Sequence, residues 1–508
     1  MASRQDELNA YTFAKRRLVA QFLQPGSSGS EEGAPRPLRA VLPGAVVAVV
    51  VLAVFAAWGM FKPVAPRNWS EVGENVIIAD KSTTRYVVLR TGGRKQLHPV
   101  LNMASARLLL DPDKGGVIKV EEEVLDDGRI PHGATLGIPY APDRLPGPDE
   151  AGAAKRWAVC ERQGAGGRAV QRAVFVLAER EEGRVEGPDR LRGGELLYVA
   201  GGDGTRHVVD AAGTAYELPS DALLLRALVG EDAVPQRVSD RWLATLHKGD
   251  PIAFPKVPGE PGAKAEVPGI RADLDRVGLV VQAPSGGTVR HYVVLRGRVA
   301  PVTDFTARLL LGSGQLKGLA QNSRALPVGT ADFTPSGTGF NAAARWPESA
   351  PKAVDAVGVR QAGEAAAGRG VVCNVLRDVA GKDGTTTLST WAGRDFPAPL
   401  PTGQSSAYVT PGSGQLFRQF KGGTTGAGFL FLVTDTGLRY ATQSNGDSAT
   451  DDAGIGTPSR DQREEALQAQ TRLGYRDVDP APVPAAWSEL LPTGPRLSTA
   501  AARQPQGS

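Results

Sequence analysis

The side chains best suited to chemistry in this 508-residue chain are five histidines and two cysteines, and their spacing decides whether any can act together. His98, His132, His207, His247 and His291 are scattered, with no H-E-x-x-H pair and no carboxylate at ligand spacing. A metal centre that activates water therefore has no support in the sequence, and each histidine is expected to be structural or superficial. A phosphate-cradling loop needs a glycine, four residues, then Gly-Lys and a hydroxyl. The nearest Gly-Lys, Gly381-Lys382, is followed by Asp383 and has Leu376 where the first glycine should stand. The run GGTTGAG at 422–428 could cradle an anion, but no lysine follows at the needed place, so a β-turn is expected. Glu121 to Glu123 reads as a solvated acidic run, and G-x-S-x-G is missing. No catalytic, metal-binding or cofactor-binding set is expected.

Cys160 and Cys373 lie in the apolar, strand-like contexts WAVCER and VVCNVL. There is no C-x-x-C pair, so two buried thiols or one disulfide both remain open at this point.

The elements that must carry these residues follow from composition and pattern. Gly 62 and Pro 38 together make about a fifth of the chain, against a usual level of about 12 %, which favours many turns and short strands. With 41 % hydrophobic residues the chain can bury a large core, and a formal charge of +4 does not argue for a nucleic-acid partner. From Val41 to Phe61 the sequence VLPGAVVAVVVLAVFAAWGMF carries no charge, and its 21 residues match a bilayer's hydrocarbon thickness in helical form. A membrane-spanning helix is expected there, with Arg36 and Arg39 before it and Lys62 and Arg67 after it. The run is too long and too far from the N-terminus for a cleaved signal. The local charges orient it weakly, with only Lys15, Arg16 and Arg17 tipping the count toward a cytoplasmic N-terminus. Those three sit in LNAYTFAKRRLVAQFLQ at 8–24, where Leu8, Tyr11, Leu18 and Phe22 fall at helical spacing, so 1–40 is read as a cytoplasmic segment with a basic amphipathic helix. Docking to a lipid surface or cytoplasmic partner and a plain solvated helix are equally open for it. Residues 26–35 read as a flexible linker, 445–461 as a polar loop and 499–508 as a disordered tail.

The chain also repeats itself. YVVLR at 86–90 recurs at 292–296, and ARLLL at 106–110 recurs at 307–311 in the same order. RIPHGATLGIP at 129–139 resembles ALPVGTADFTP at 325–335, which sets Val328 opposite His132. Cys160 follows Tyr86 by 74 residues and Cys373 follows Tyr292 by 81, so the cysteines hold matching positions in two tandem halves. A weaker pattern of strand, Asp-centred turn and strand closes each half, at 205–228 and 429–444. The expected architecture is a large β-rich α+β domain over 62–498 with two pseudo-symmetric halves. Four peripheral repeats at 80–112, 195–230, 286–314 and 427–495 surround a central domain built from 115–194 and 315–426. If a pseudo-twofold axis relates the halves, equivalent strands can meet at it and the cysteines can bond, which implies an oxidising, extracytoplasmic setting beyond residue 61.

These residues resemble a known family. RQDELNAYTFAKRRLVAQFL at 4–23, LHPVLNMASARLLL at 97–110, IPYAPDRLP at 138–146, WAVCER at 157–162 and AAWSELLPTGPRLS at 485–498 are similar to EccB, a membrane component of the actinobacterial type VII (ESX) secretion machinery. The resemblance implies a structural subunit of the cell membrane with a periplasmic domain in which four repeats flank a centre and one disulfide, Cys160 to Cys373, is kept. It implies as partners an EccC-type ATPase, EccD and EccE membrane subunits and a mycosin protease; self-association of the outer domain is a further expectation of the scaffold reading. Some members are described as binding or hydrolysing ATP, an alternative that the residues here do not support.

Overall fold

The computed structural model describes residues 4–23, 38–60, 65–164, 169–231, 233–355, 357–358, 369–400, 406–443 and 458–506. The linker expected at 26–35 and most of the loop expected at 445–461 lie outside the described residues, as do Arg36 and Lys62. The chain divides into a unit of 1–67 with 119–129 and a larger unit of 68–118 with 130–508.

In the first unit, Arg4–Leu23 and Leu38–Met60 are helices. Within the second helix, Val41–Trp58 is long and apolar enough to cross a membrane, and none of it is buried. Hydrocarbon is the solvent that such a surface fits. The first helix is less amphipathic than its spacing suggests. At 3.6 residues per turn, Lys15 falls inside the stripe of Leu8, Tyr11, Leu18 and Phe22, while Arg17 falls on the opposite side. The basic residues are therefore spread around the helix instead of forming one polar face.

In the larger unit, short strands joined by tight turns build four outer sheets. The first places Arg94–Val100, Arg85–Thr91 and Asn75–Ala79 side by side in that order. Its hairpin reverses at Gly92 and Gly93, with φ of 59° and 78°, the left-handed pair that a two-residue turn requires and that side chains resist. The third sheet repeats the order with Arg298–Val302, Thr288–Leu295 and Val280–Ser285, adds Leu326–Pro327 beside the last, and reverses at Gly286 and Gly287. The second, built on Glu195–Ala200, Arg206–Asp210 and Thr214–Leu218, adds Gln236–Arg237 parallel to its first strand. The fourth, built on Gly414–Phe420, Phe429–Thr434 and Arg439–Ala441, adds Ala481–Pro484 in the same way.

A helix follows the third strand of every outer sheet, over Met103–Leu109, Ala222–Val229, Asp304–Gly312 and Arg460–Arg472. Each begins at a side chain that satisfies free backbone N–H groups. Asn102, Asp221, Thr303 and Ser459 accept from the first turn of their helices. These helices pair the sheets. Met103–Leu109 packs on Arg460–Arg472, joining Leu108 to Leu432, Tyr440 and Tyr475 in one core. Ala222–Val229 packs on Asp304–Gly312, joining Leu224 and Leu228 to Phe305 and Leu309.

Between the outer sheets lies a five-stranded sheet in the order Thr385–Gly393, Val371–Ala380, Arg156–Arg162, Gln171–Leu177, Ala407–Val409. Its two cysteine-bearing strands are apolar and buried over 157–160 and, Asn374 apart, over 371–376, where both faces are covered.

Two expectations are corrected. Residues 499–506 are ordered: Thr499–Ala502 forms a capped helical turn, Ala502 is fully buried, and Gln506 donates to the carbonyls of Thr135 and Gly137. The polar composition of the tail hid the docking, because backbone bonding to the 135–137 segment needs no apolar run. The match of 129–139 with 325–335 is not spatial. His132 bridges Leu97 on the outermost strand of the first sheet, whereas Leu326 and Pro327 pair with the opposite edge of the third. Tyr86 faces Pro99 as Tyr292 faces Pro301, and by that register Pro335, bridged to Val299, is the counterpart of His132. Both segments are apolar-Pro-x-Gly turns, which cap either edge of a sheet.

Candidate functional site

The most constrained place in the chain is the middle of the central sheet. Cys160 and Cys373 stand directly opposite each other on antiparallel strands, with Cα atoms 4.0 Å apart, and are disulfide-bonded. Phe175, Leu177, Val185, Trp391 and Ala398 pack around them on one face, so both sulfurs are shielded from water. On the other face Trp157 and Val159 meet Trp242 and Phe417.

Polar groups then fix the outer sheets to this centre. Trp157 donates to Gln415 of the fourth sheet at 2.9 Å. Trp242, in a helical turn between the Gln236–Arg237 and His247–Lys248 strands of the second sheet, donates to the Val159 carbonyl at 3.0 Å. The same turn is held at both ends. Glu161, fully buried, accepts from the Ser239 amide at 2.7 Å and hydroxyl at 2.6 Å, and Asn374 donates to the Thr245 carbonyl at 2.7 Å. Residues 239–245 are therefore bonded to both cysteine-bearing strands. Burial pushes the Glu161 carboxyl up, against the lowering effect of the Ser239 bonds and of Arg172. Nearby, Arg377 pairs with Glu186, and Arg156 pairs with Glu182 at 2.9 Å and donates to the Arg377 carbonyl. Burial, and then the neighbouring Arg156, push the Arg377 guanidinium down to about 10.

Asp355 is a second buried acid that sequence pattern did not reveal. It accepts from the Tyr198 amide at 2.7 Å, while its other oxygen is buried without a partner. Burial pushes its carboxyl up to about 7. A folded-state value above the unfolded one means that the folded chain binds the extra proton, so this group's contribution falls as pH rises from about 4 to about 7. Asp355→Asn keeps the acceptor and removes the charge. It is expected to raise stability at pH 8 by about 1 to 3 kcal/mol and to have little effect at pH 4. Denaturant unfolding at the two pH values checks this, and an equal effect at both would exclude the ionisation.

The histidines do not converge. His98 is buried with both nitrogens engaged, by the Ala134 carbonyl at 2.8 Å and the Thr91 hydroxyl at 2.9 Å. His132 stands edge-on to Tyr86, and His291 bonds Asp304. His207 and His247 line a cavity of about 300 Å³ with Glu217 and Lys248. Among the described residues no group of three or more His, Cys, Asp and Glu is arranged to hold a metal. Gly381-Lys382 lies in the turn of an antiparallel hairpin, between Ala380 and Thr385, so it does not open a helix as a phosphate loop must. Lys15, Arg16 and Arg17 lie on the Arg4–Leu23 helix, none of them buried.

Comparison with known proteins adds a family. The model of the type VII secretion system ESX-1 transport TM domain B, EccB, matches residues 1–507. A relative from Mycolicibacterium smegmatis, the ESX-3 secretion system ATPase EccB3, is 29 % identical over 91 % of this chain and 82 % of its own. A chain of an intact ESX-5 inner membrane complex shares the fold, with a TM-score of 0.55 at 21 % identity over 100 % of this chain and 96 % of that one. A chain of an EccB3 dimer from the ESX-3 core complex gives 0.54 at 24 % identity over 85 % and 100 %.

Proposed function

We propose that this chain, which belongs to the EccB family of type VII secretion components, is a structural subunit of an ESX membrane complex that scaffolds its membrane and periplasmic parts. Supporting this is the family match along the whole chain, which takes in both the apolar helix and the disulfide-tied domain. The Val41–Trp58 helix spans the cell membrane in this reading, with residues 1–40 cytoplasmic and the domain beyond it extracytoplasmic. A disulfide suits that oxidising side. An EccC-type ATPase, EccD, EccE, a mycosin protease and a second copy of the chain are the proposed partners.

The domain is read as two pseudo-symmetric halves with four repeats around a centre. In this reading the repeats, expected to start at 80, 286 and 427, begin at Asn75, Val280 and Gly414, and the shared strand order of the outer sheets supports it. A twofold axis between Cys160 and Cys373 would exchange the first sheet with the third and the fourth with the second. The two observed helix pairings are consistent with that exchange.

A chain lacking residues 1–61 is expected to leave the membrane fraction and to lose co-purification with the EccC-type, EccD and EccE subunits from mild detergent. Undiminished assembly of that truncated chain would sink the scaffold role given to the segment. ATP hydrolysis, carried in the names of relatives such as EccB3, is the second reading. Saturable ATP binding to the full chain by calorimetry would favour it.

A further inference from the structure

The fourth outer sheet and its helix enclose a cavity of about 270 Å³ whose lining is rich in donors and, among the described residues, contains no carboxylate. The Gly414–Phe420 strand contributes Arg418, the chain beyond Arg439–Ala441 contributes Gln443, and the Arg460–Arg472 helix contributes Arg463. Gly426 to Gly428, the end of the glycine run expected as a turn, forms one wall.

Three features set these groups apart from an ordinary surface cluster. Gln443 is 1 % exposed, and its Oε1 accepts from the Leu430 amide and the Thr442 hydroxyl, each at 3.2 Å. That fixes the amide so that Nε2 is a donor, yet Nε2 is buried and has no partner among the described residues. Arg418 gives one N–H to the Gly428 carbonyl at 3.1 Å and pairs with no carboxylate among the described residues. Burial and, after it, Arg463 push its guanidinium down, so two like charges share the space. The other polar side chains are already engaged. Gln470 donates to the Tyr475 and Val478 carbonyls, and Gln462 caps its helix.

A buried donor and a half-buried cation that have no acceptor and no counter-charge among the described residues are both relieved by one group, a compact oxyanion. We infer that this cavity binds a single oxyanion group, a carboxylate or a phosphate- or sulfate-type head, held by Arg418, Arg463 and the Gln443 amide. Its volume, below the usual range for larger ligands of about 300 to 1,000 Å³, restricts the bound part to a small group presented by a free ion or a partner.

The test is thermal unfolding of the full chain in detergent, titrated with inorganic phosphate, sulfate or acetate against sodium chloride of equal ionic strength. Saturable stabilisation beyond chloride is expected. Preference for the tetrahedral ions points to a phosphate- or sulfate-type source, and preference for acetate to a carboxylate. Arg463 is exposed, so Arg463→Ala should fold normally and weaken the apparent affinity about tenfold, the loss expected for a charged hydrogen bond. Gln443→Glu retains the acceptor and installs a carboxylate in the cavity, and should abolish the response while raising the midpoint without added anion. A response equal to that of chloride, or one unchanged in either variant, overturns the site.

Discussion

Replacing both Cys160 and Cys373 by alanine is expected to lower the unfolding free energy by about 5 kcal/mol. The cysteines are 213 residues apart, so the bond closes a very long loop in the unfolded chain and removes much of its entropy. In the folded state the alanines cost little more, since each sulfur occupies a small space among Ala158, Ala173 and Phe175. Denaturant unfolding of the oxidised chain and the double variant measures the difference. Both cysteines are fully buried, so mild reductant should leave the native chain unchanged, whereas unfolding in reductant should reproduce the variant's midpoint. A double variant within about 1 kcal/mol of the parent would mean that the unfolded chain is already compact. Two free thiols in non-reducing mass mapping would remove the bond itself, and with it the argument for an oxidising compartment.

That bond was legible in the sequence only through repetition. Nothing in WAVCER or VVCNVL distinguishes a thiol from half a disulfide, but the matching positions of the cysteines after YVVLR allow the two strands to meet if a twofold axis relates the halves, and Cys373 faces Cys160. The apolar helix was equally readable, since an uncharged hydrophobic run is a local signal. What escaped was non-local. The pairing of Leu326–Pro327 to the edge strand at Val281, rather than to the strand at Val299, depends on the whole sheet, and a two-residue strand has no pattern of its own. The extent of the fourth sheet was hidden likewise: Gln415, Arg418 and Gln419 interrupt the apolar residues of Gly414–Phe420, so it shows no period of two, and its separation from Phe429–Thr434 by a glycine-rich turn conceals their pairing. Glu161, Asp355 and Gln443 each look like surface residues in sequence, and only burial gives them consequence.

Trp242 is expected to matter next most, and for a reason that separates packing from topology. Its side chain is fully buried between the turn at 239–245 and the central sheet, in the cluster that includes Trp157, Val159 and Val199. Its indole N–H also satisfies the Val159 carbonyl. Trp242→Ala removes the apolar contact and leaves a cavity, a loss of about 3 to 5 kcal/mol for a large aromatic. Trp242→Phe keeps most of the volume and forfeits the hydrogen bond, for a cost of about 1 to 3 kcal/mol. The turn is tied separately to Glu161 on one cysteine strand and Asn374 on the other, so the alanine variant should stay folded around an intact disulfide while the second outer sheet loosens. Hydrogen exchange measures this directly, with amides of Glu195–Ala200 and Arg206–Asp210 expected to lose protection and those of Arg156–Arg162 to keep it. Uniform loss across both sets would mean instead that the outer sheet and the centre unfold as one cooperative body. In that case the tryptophan stabilises the whole domain and does not dock one part on another.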